Sequence, residues 1–349
     1  MAITLTSLTE LAGFGFDDII DARAPAEYAE DHLPGAISLP VLSDAQRAEV
    51  GTIYKQVNPF VAKKLGAALV SRNVADHLLG PLADKPGGWR PLVYCWRGGQ
   101  RSGSFALILS QIGWRVELLK GGYKAWRGLV VREVYDTPVR APMVVLDGNT
   151  GTGKTEILKL LPAHGLQVID LEGLANHRGS LFGAMGPQPS QKAFEGRLAQ
   201  ALAALDPTRP VVVEAESSKI GQCRLPPEIW KAMTKAPRVA LDATAPDRAR
   251  YLTRTYTDMT ADPVRLATVI DLLKPLHPQE VIATWQAMAA AGNFCELTES
   301  LMTRHYDPRY AKHRARMEVP TAEGSAGPLT PESLPDTAAG VARAVQGLL

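Results

Sequence analysis

The sequence predicts an α/β protein with two parallel-sheet domains, the second of which ends in a helical part. The chain has 349 residues, more than one compact domain usually needs. Apolar strands alternate with helical patterns in both halves, and such alternation produces parallel sheets. The stretch "YDTPVRAP", residues 135–142, separates the two alternations. We therefore expect one domain at residues 1–136 and a second at 141–349.

Composition and charge exclude several classes of protein. Hydrophobic residues make up 46% and charged residues 21%, which is ordinary for a folded soluble domain. No apolar run approaches the roughly 18 residues of a membrane span, and the N-terminus does not resemble a leader, so we expect a cytoplasmic protein without a membrane partner. Cys95, Cys223 and Cys295 form no CxxC pair, which argues against disulfides and zinc knuckles. No tightly bound cofactor is predicted.

The elements of the first half follow in order. "DIID" at Asp18 is a strand, and a turn, a helix and the strand "AISLP" come after it. A helical middle leads to the buried strand "RPLVYC". "SFALILSQIGW" has the apolar spacing of a helix that ends at Gly113. "VELLKGGYKAWRGLV" supplies one more strand and a turn.

A loop with the sequence "CWRGGQRS" follows the strand that ends at Cys95. A helix that begins near its end would direct backbone N–H groups into a small bowl, and the two arginines would favour a thiolate. The glycines permit the necessary curvature. The bland alternative is a buried cysteine in an ordinary turn. We predict a nucleophilic Cys95 and an anion-binding loop of Trp96, Arg97, Gly98, Gly99, Arg101 and Ser102.

The second half repeats the alternation. "MVVLDG" is a strand, "NTGTGKT" a glycine-rich loop, and "EILKLLPAHG" a helix that ends at Gly165. "QVIDLEG", "PVVVEAES" and "RVALDAT" are further strands. Residues 244–317 are predicted to be mostly helical, and "VPTAEGSAGPLTPESLP" to be a connector before a short final helix.

The segment "GNTGTGKT" fits the pattern of a phosphate-binding loop between a strand and a helix. Its N–H groups would wrap a diphosphate that Lys154 neutralises. Glu214 or Glu216 could help to hold magnesium, Asp170 competes for that role, and a helix-capping carboxylate is equally compatible. The magnesium requirement stays open and the metal site unknown. The predicted diphosphate-binding residues are Gly148, Asn149, Thr150, Gly151, Thr152, Gly153, Lys154 and Thr155.

A basic run, "TRHYDPRYAKHRAR", occupies residues 303–316. Because the formal net charge is only +2, a polyanion would have to bind a local patch such as this one. A solvated helix face is the alternative. The candidate nucleic-acid contacts are Arg304, Arg309, Lys312, Arg314 and Arg316.

Residues 15–130 resemble a rhodanese domain. The resemblance rests on "DARAPAEYAEDHLPGAISLP", the Cys95 loop and "LLKGGYKAW", in that order. In rhodaneses the loop cysteine accepts sulfur as a persulfide, and Asp21 and Arg23 help to build the domain. Here the loop from Cys95 to Arg101 is one residue longer than in most sulfur-carrying rhodaneses and as long as in related cell-cycle phosphatases. A wider bowl suits a larger atom or a tetrahedral oxyanion.

The order of the halves, with "DGNTGTGKT" and "IDLEGLANHRGSLFG", resembles the tRNA 2-selenouridine synthase family over residues 10–317. The resemblance implies a rhodanese-like domain followed by a P-loop NTPase-like domain with a helical C-terminal part. It also implies a transferase that replaces the sulfur of wobble 2-thiouridine in tRNA with selenium. Its co-substrates would be selenophosphate, at the Cys95 loop, and geranyl diphosphate, at the phosphate loop, which gives an S-geranylated intermediate. The basic run would contact tRNA.

Other functions fit parts of the pattern. A P-loop kinase or ATPase with a sulfur-carrying rhodanese domain is the main alternative, and it predicts ATP hydrolysis that depends on Lys154. A phosphatase would use Cys95 to form a phosphocysteine. A tRNA-binding adaptor would need neither residue for chemistry. Whether Cys95 carries selenium or its loop only positions the donor is left open by the sequence.

Overall fold

A computed structural model describes residues 2–315 and 318–349, without the side chain of His313. Within these ranges the strands are β1 (Ala2–Ile3), β2 (Asp18–Asp21), β3 (Ala36–Ser38), β4 (Pro91–Tyr94), β5 (Glu117–Leu119), β6 (Met143–Gly148), β7 (Gln167–Ile169), β8 (Val211–Glu214), β9 (Lys219–Ile220), β10 (Cys223–Arg224), β11 (Arg238–Asp242) and β12 (Thr321–Ser325).

The α-helices follow the same chain order. They are α1 (Glu10–Gly13), α2 (Pro25–Glu30), α3 (Asp44–Gln56), α4 (Pro59–Leu79), α5 (Gln100–Gln111), α6 (Gly122–Val131), α7 (Lys154–Leu160), α8 (Leu171–Ala175), α9 (Gln191–Ala203), α10 (Pro227–Lys235), α11 (Ala245–Thr255), α12 (Thr257–Thr260), α13 (Pro263–Asp271), α14 (Gln279–Ala290), α15 (Phe294–Leu301), α16 (Asp307–Arg314) and α17 (Leu334–Leu348). None of the helices that the structure describes is both long and apolar enough to cross a membrane.

The chain forms two compact units. The first unit comprises residues 2–137 together with Pro189–Ala204, and the second comprises Pro138–Gln188 and the described residues from Leu205 onward. Each unit contains a five-stranded parallel sheet, so the predicted fold class is confirmed. The units differ from the predicted domains, 1–136 and 141–349, in helix α9, which packs in the first unit although it follows the phosphate loop in sequence.

The sheet of the first unit has the strand order β1-β5-β4-β2-β3. Strand β4, "PLVY", is buried at every position because it lies between β5 and β2 with side chains packed on both faces. Its neighbours in the core include Ile20, Phe105 and Leu109. Since β4 ends at Tyr94, the Cys95 loop begins at the carboxyl edge of the sheet, where ligand sites of parallel sheets usually form.

The sheet of the second unit has the strand order β12-β11-β6-β8-β7. Strand β6, "MVVLDG", is central and fully buried, and the phosphate loop leaves its carboxyl end to enter α7. Helix α7 and its 3₁₀ extension end at Gly165, which has a left-handed conformation with φ +80°, as the sequence predicts. The apolar faces of α7 and α17 pack on this sheet.

Strand β12 corrects the prediction of an unstructured connector before the final helix. Residues Thr321–Ser325 pair in parallel with β11 at the edge of the second sheet. Their side chains are exposed or half-buried, so the segment "TAEGS" shows no apolar run. Backbone pairing with β11 supplies the strand, and the residue pattern gave no signal for it.

The region after β11 is helical, as predicted, over its described residues up to 315. Helices α12–α15 enclose a separate apolar core around Ile270, Trp285 and Leu301. A π-helical turn at Arg132–Asp136 continues α6 at its C-terminal end, and another at Met302–Tyr306 joins α15 to α16. The second of these turns leads directly into α16, which carries most of the basic run.

Candidate active site

The thiol of Cys95 lies at the base of the loop between β4 and α5. The residue is 3% exposed. The backbone N–H of Gly99 donates to Sγ at 3.3 Å, and the hydroxyl of Ser102 donates to it at 3.1 Å. Two donors directed at one sulfur are the arrangement that stabilises a thiolate, so the loop forms the predicted bowl around the cysteine.

The pKa of Cys95 reflects a competition between burial and hydrogen bonding. Burial by itself raises the pKa of the thiol, but hydrogen bonds from Ser102 and Gly99, with the positive charge of Arg101, outweigh it and lower the pKa below its usual value. A cysteine that only filled a core would show the burial effect alone. The geometry therefore favours the nucleophilic interpretation of Cys95.

A glycine pair after β5 gives the Cys95 loop its shape. Gly122 has φ +56°, and a Cβ there would overlap the carbonyl oxygen of Cys95. The N–H of Tyr123 donates to that oxygen at 2.9 Å, and the N–H of Lys124 donates to the oxygen of Trp96 at the same distance. Backbone donors of α6 therefore bind the carbonyl oxygens of Cys95 and Trp96, while the N–H of Gly99 is directed at the thiol.

The charged residues of this loop have different surroundings. Arg101 donates to the carboxylate of Glu27 at 2.6 and 3.3 Å, so it acts on the thiol through its charge. Arg97 is exposed, and the half-buried Trp96 ring lies 5.3 Å from the ring of Tyr123. The structure therefore brings Gly99, Ser102 and the charge of Arg101 to the sulfur.

A buried ion pair supports the base of the first unit's site. Arg23 donates to both carboxylate oxygens of Asp21, and Tyr94 donates its hydroxyl to the same carboxylate at 2.7 Å. The guanidinium also donates to the backbone oxygen of Asp31 and lies 4.0 Å from the ring centroid of Tyr123. Because each partner is satisfied, these charges can remain buried and fix the strand ends beneath the loop.

In the second unit, the phosphate loop surrounds a cavity of about 360 Å³. Gly148, Gly151 and Gly153 have φ values of +154°, +87° and +72°, which side chains rarely permit. The ammonium of Lys154 donates to the backbone oxygen of Gly148 at 2.9 Å and to that of Asn149 at 3.5 Å. The arrangement is that of a Walker loop, with its lysine folded onto its own carbonyls.

The carboxyl groups of Asp170 and Glu172 line this cavity, and those of Glu214 and Glu216 lie next to Glu172. The hydroxyl of Thr155 donates to Glu172 at 2.9 Å, and the N–H of Glu172 donates to Glu214 at 2.7 Å. Burial and the charges of Glu172 and Asp170 raise the pKa of Glu214 well above its usual range. Burial and Glu172 raise the pKa of Glu216 in the same direction.

The carboxylates considered as magnesium ligands have different surroundings. Asp170 caps helix α8 by accepting the N–H of Gly173 at 2.7 Å, which is the capping role weighed against magnesium binding. Among the side chains that the structure describes, no three of His, Cys, Asp or Glu form a group that could hold a metal ion. The metal site therefore stays unassigned.

A second, apolar cavity of about 70 Å³ adjoins the phosphate cavity. The two cavities share wall residues Thr150, Ser180, Leu252 and Tyr256. Phe182, from the segment between α8 and α9, and Met259 and Phe294, from the helical part, line the rest. At the junction, the hydroxyl of Thr150 is buried and interacts with the hydroxyl of Tyr310. The site thus joins an anion-binding surface to a hydrophobic one.

The basic run has two faces. Helix α16 directs Arg314 to the side-chain oxygen of Asn149 at 2.6 Å, and Asp307 accepts both terminal nitrogens of Arg248. Arg248 in turn donates to the backbone oxygen of Thr150 at 3.0 Å. The outward face is different: Arg304, Arg309 and Lys312 are exposed. Arg316 lies outside the described residues.

Sequence reasoning missed the residues that support the phosphate loop from α16. Asp307, Tyr310 and Arg314 have the spacing i, i+3 and i+7, which puts them on one helix face. That spacing was the available signal, but five basic residues in one run concealed it. Arg248 on α11, which donates to the same loop, is also buried, with 4% of the residue exposed.

Comparisons with known proteins agree with this arrangement. Residues 4–129 match the model of the rhodanese-like domain, and residues 141–269 match that of the tRNA 2-selenouridine synthase AAA domain. A tRNA 2-selenouridine synthase of Bdellovibrio bacteriovorus is 33% identical over 351 residues, which covers 86% of this chain and 90% of the relative. Those of Bordetella petrii and Aeromonas salmonicida are 34% and 40% identical, over 85% and 73% of this chain and 87% and 68% of their own lengths.

Proposed function

The chain belongs to the tRNA 2-selenouridine synthase family, and on that premise we propose that it is a transferase that converts wobble 2-thiouridine of tRNA to 2-selenouridine. The proposed route has two steps and uses geranyl diphosphate and selenophosphate as co-substrates. We also propose that it acts in the cytoplasm, where its tRNA substrate is found. No tightly bound cofactor is required by this proposal.

In the first step the sulfur of 2-thiouridine attacks C1 of geranyl diphosphate. A C–S bond forms, the C–O bond to diphosphate breaks, and the proton on N3 of the base is released. The product carries a neutral S-geranyl group, which leaves more readily than a thiolate would. In the second step selenium of selenophosphate attacks C2 of the base, geranyl thiol leaves, and water cleaves the Se–P bond to release phosphate.

One observation carries the geranyl step: the phosphate cavity and the apolar cavity share a wall. A diphosphate on the loop would place its ester carbon near Thr150, and a hydrocarbon chain could then extend between Leu252 and Tyr256. A nucleoside would instead bring a polar ribose and base to these apolar side chains, at a cost in desolvation. The surroundings of the loop therefore favour a prenyl diphosphate.

The apolar cavity also bears on the choice of chain. Its free volume of about 70 Å³ is small for a geranyl group, so Met259 and Phe294 would have to shift when the chain binds. Methionine adapts to such changes more readily than other apolar residues. A longer prenyl chain would require a larger rearrangement, and we expect farnesyl diphosphate to be a poorer donor than geranyl diphosphate.

The loop residues have distinct roles in this step. Backbone N–H groups of Gly148–Thr155 and the ammonium of Lys154 would stabilise the leaving diphosphate. To do so Lys154 would exchange its present contacts with loop carbonyls for phosphate oxygens. Arg314, held at Asn149, would add positive charge at the other end of the loop.

The Cys95 loop is the proposed site of selenophosphate. The N–H groups of this loop and the positive charge of Arg101, which also lower the pKa of Cys95, suit the binding of a tetrahedral oxyanion such as selenophosphate. In the proposed use of the site the loop positions the donor, whose selenium then attacks the base. A selenosulfide on Cys95 would require a two-electron oxidant, because selenium in selenophosphate is already at the selenide level, and the proposed route supplies none.

The test incubates the protein with a 2-thiouridine anticodon stem–loop RNA, geranyl diphosphate and selenophosphate, and follows the nucleoside by mass spectrometry. Lys154→Ala should lose about 100- to 1,000-fold in S-geranylation. Cys95→Ser should abolish selenium entry while S-geranylation continues. Cys295→Ser, at an exposed cysteine, is the matched control. If both site variants lose the same step, the assignment of one step to each loop is wrong.

A P-loop kinase or ATPase with a sulfur-carrying rhodanese domain is the second candidate, because the same loop binds nucleoside triphosphates in other proteins. It predicts ATP hydrolysis that Lys154→Ala abolishes. ATP turnover without any S-geranylated product would favour this candidate over prenyl transfer.

A further inference from the structure

A third cavity of the second unit, of about 220 Å³, lies next to the phosphate cavity. Tyr310 lines both cavities and is therefore the wall between them. The lining of the third cavity is mostly charged, with Asp147, Glu216, Arg238, Arg309 and Arg314. Its volume is below the roughly 300–1,000 Å³ of pockets for drug-sized ligands, so it suits a smaller group.

The buried end of this cavity has a donor without an acceptor. Arg238 donates to Asp147 at 2.8 Å, and its side chain is 7% exposed. Its Nε–H is nevertheless buried and has no partner in the ranges that the structure describes. A buried donor is normally paired, so this guanidinium is a place where a ligand would be bound.

An acceptor lies in the same cavity. Two carboxyl groups line the cavity: Asp147 already accepts from Arg238, whereas Glu216 contacts Glu172 of the phosphate cavity. The Watson–Crick edge of a 2-thiouracil presents acceptor, donor and acceptor in turn: O4, N3–H and the sulfur. A carboxyl group among guanidinium donors complements such an edge. The phenol ring of Tyr310 offers a flat wall on which a base can stack.

We propose that this cavity receives the target nucleobase after it has been turned out of the RNA, with N3–H on Glu216 and the sulfur toward the phosphate loop. Enzymes that modify a base commonly move it out of its stack into such a pocket. The exposed Arg309 at the rim would bind the adjoining phosphate. This inference rests on the proposed function, since it names where the acceptor of the geranyl group binds.

The test measures RNA binding by fluorescence anisotropy, with geranyl diphosphate absent. The probe is an anticodon stem–loop with one 2-thiouridine, and its partner carries 3-methyl-2-thiouridine, which lacks N3–H. Wild type should bind the methylated probe about tenfold more weakly. Glu216→Ala should weaken the first probe by a similar factor and no longer distinguish the two. Glu216→Gln keeps an acceptor oxygen and should bind nearly as wild type does.

Controls separate this inference from the proposed function. Glu228→Ala, at a surface glutamate of α10, should bind both probes as wild type does. Geranyl S-thiolodiphosphate, a non-reacting analogue, should bind wild type and Glu216→Ala equally in calorimetry, which also shows that the variant is folded. The nucleobase site would be overturned if wild type bound the two probes with equal affinity. It would also be overturned if N3-methylation weakened binding to Glu216→Ala as much as it weakens binding to wild type. Failure of the analogue to bind wild type would instead count against the geranyl step.

Discussion

The Cys95 loop and the phosphate loop connect the same kinds of element, but they differ in where their anion comes from. Both join the carboxyl end of a buried central strand to the N-terminus of a helix: β4 to α5, and β6 to α7. In the Cys95 loop the chain supplies the anion, and Gly99 and Ser102 already donate to its sulfur. In the phosphate loop Lys154 donates to carbonyl oxygens of the loop itself. Donors of the first loop already bind the protein's own sulfur, whereas the ammonium of the second can exchange its carbonyl contacts for an anionic ligand.

The supports of the two loops differ as well. The Cys95 loop is bound by backbone groups of the Gly121–Gly122 turn, which tolerate little change. The phosphate loop is bound by side chains, namely Arg248 and Arg314. Backbone support suits a fixed nucleophile, while side-chain support can rearrange when a diphosphate enters.

The strongest test of this contrast is a methyl group at Gly122. Gly122→Ala should cost about 3 kcal/mol or more of unfolding free energy, because its φ is +56° and its Cβ would overlap the oxygen of Cys95. Gly103→Ala is the control: a Cβ there contacts nothing within 4 Å, and alanine in α5 should be neutral or stabilising by up to about 1 kcal/mol. Denaturant unfolding measures both, and equal stabilities would contradict backbone support.

A second test removes a hydrogen bond from the thiol. In a Cys295→Ser background, Ser102→Ala should slow alkylation of Cys95 by iodoacetamide at pH 7 about tenfold, because the loss of a hydrogen bond to the thiolate raises the pKa. Ser104→Ala, on the same helix, should leave the rate unchanged. An alkylation rate that is the same in both variants would show that Ser102 does not stabilise the thiolate.

The lowered pKa of Cys95 also predicts the direction of a pH effect. Since the pKa is lower in the folded than in the unfolded state, the thiolate stabilises the first unit fully above the unfolded-state pKa. This contribution is lost as the pH falls through the folded-state pKa. In Ser102→Ala the difference in stability between high and low pH should therefore be smaller than in wild type, as thermal unfolding at several pH values can measure.

A third test asks whether the hydroxyl of Thr150, in the phosphate loop, binds the diphosphate ligand. Thr150→Val removes a buried hydroxyl that interacts with Tyr310, so the unit should lose no more than about 1 kcal/mol of unfolding free energy. If that hydroxyl binds the diphosphate ester, geranyl diphosphate should bind about fivefold more weakly, which corresponds to one modest hydrogen bond. Thr234→Val, near the end of α10, is the control for calorimetry. Unchanged affinity would place the ester elsewhere.

The smallest expected effect concerns the outer face of the basic run. Arg304→Ala and Lys312→Ala should weaken RNA binding uniformly, and each should reduce the slope of log K against log salt by roughly 0.7–0.9. Arg343→Ala, at an exposed arginine of α17, should leave the slope unchanged. Arg314→Ala differs from them in our interpretation, since Arg314 contacts the phosphate loop, and it should affect geranyl diphosphate binding as well. A slope unaffected by Arg304→Ala and Lys312→Ala would remove them from the RNA contacts.

Local sequence signals predicted most of the fold. The strands beside both loops are short apolar runs, and glycines such as Gly165 mark helix ends, so neighbouring residues alone specify them. Strand β12 was not predicted because it forms by pairing with β11. The unit to which α9 belongs was not predicted because tertiary packing determines it. These decisions involve residues far apart in the chain.

The candidate site also has a part that local sequence predicted and a part that it did not. The loop residues follow from motifs whose backbone geometry is local, and the roles assigned to them remain predictions. The apolar cavity and the charged cavity arise where α11, α15 and α16 meet the loop, and a single sequence does not reveal such meetings. Arg314 is an example of a role that the sequence did not reveal. Its charge led to its prediction as an RNA contact, whereas in the structure it donates to the side-chain oxygen of Asn149.

Helix α9 has a consequence for the order in which the protein matures during synthesis. Its Glu195 is bound by Arg127 and by Tyr135 of the first unit, and its Lys192 pairs with Glu30. When the ribosome has released only the first 137 residues, these partners and the apolar surface under α9 have nothing to cover them. The N-terminal unit can finish folding only after the phosphate loop has also emerged, so a nascent chain cannot present a complete thiol-bearing unit before its companion loop exists.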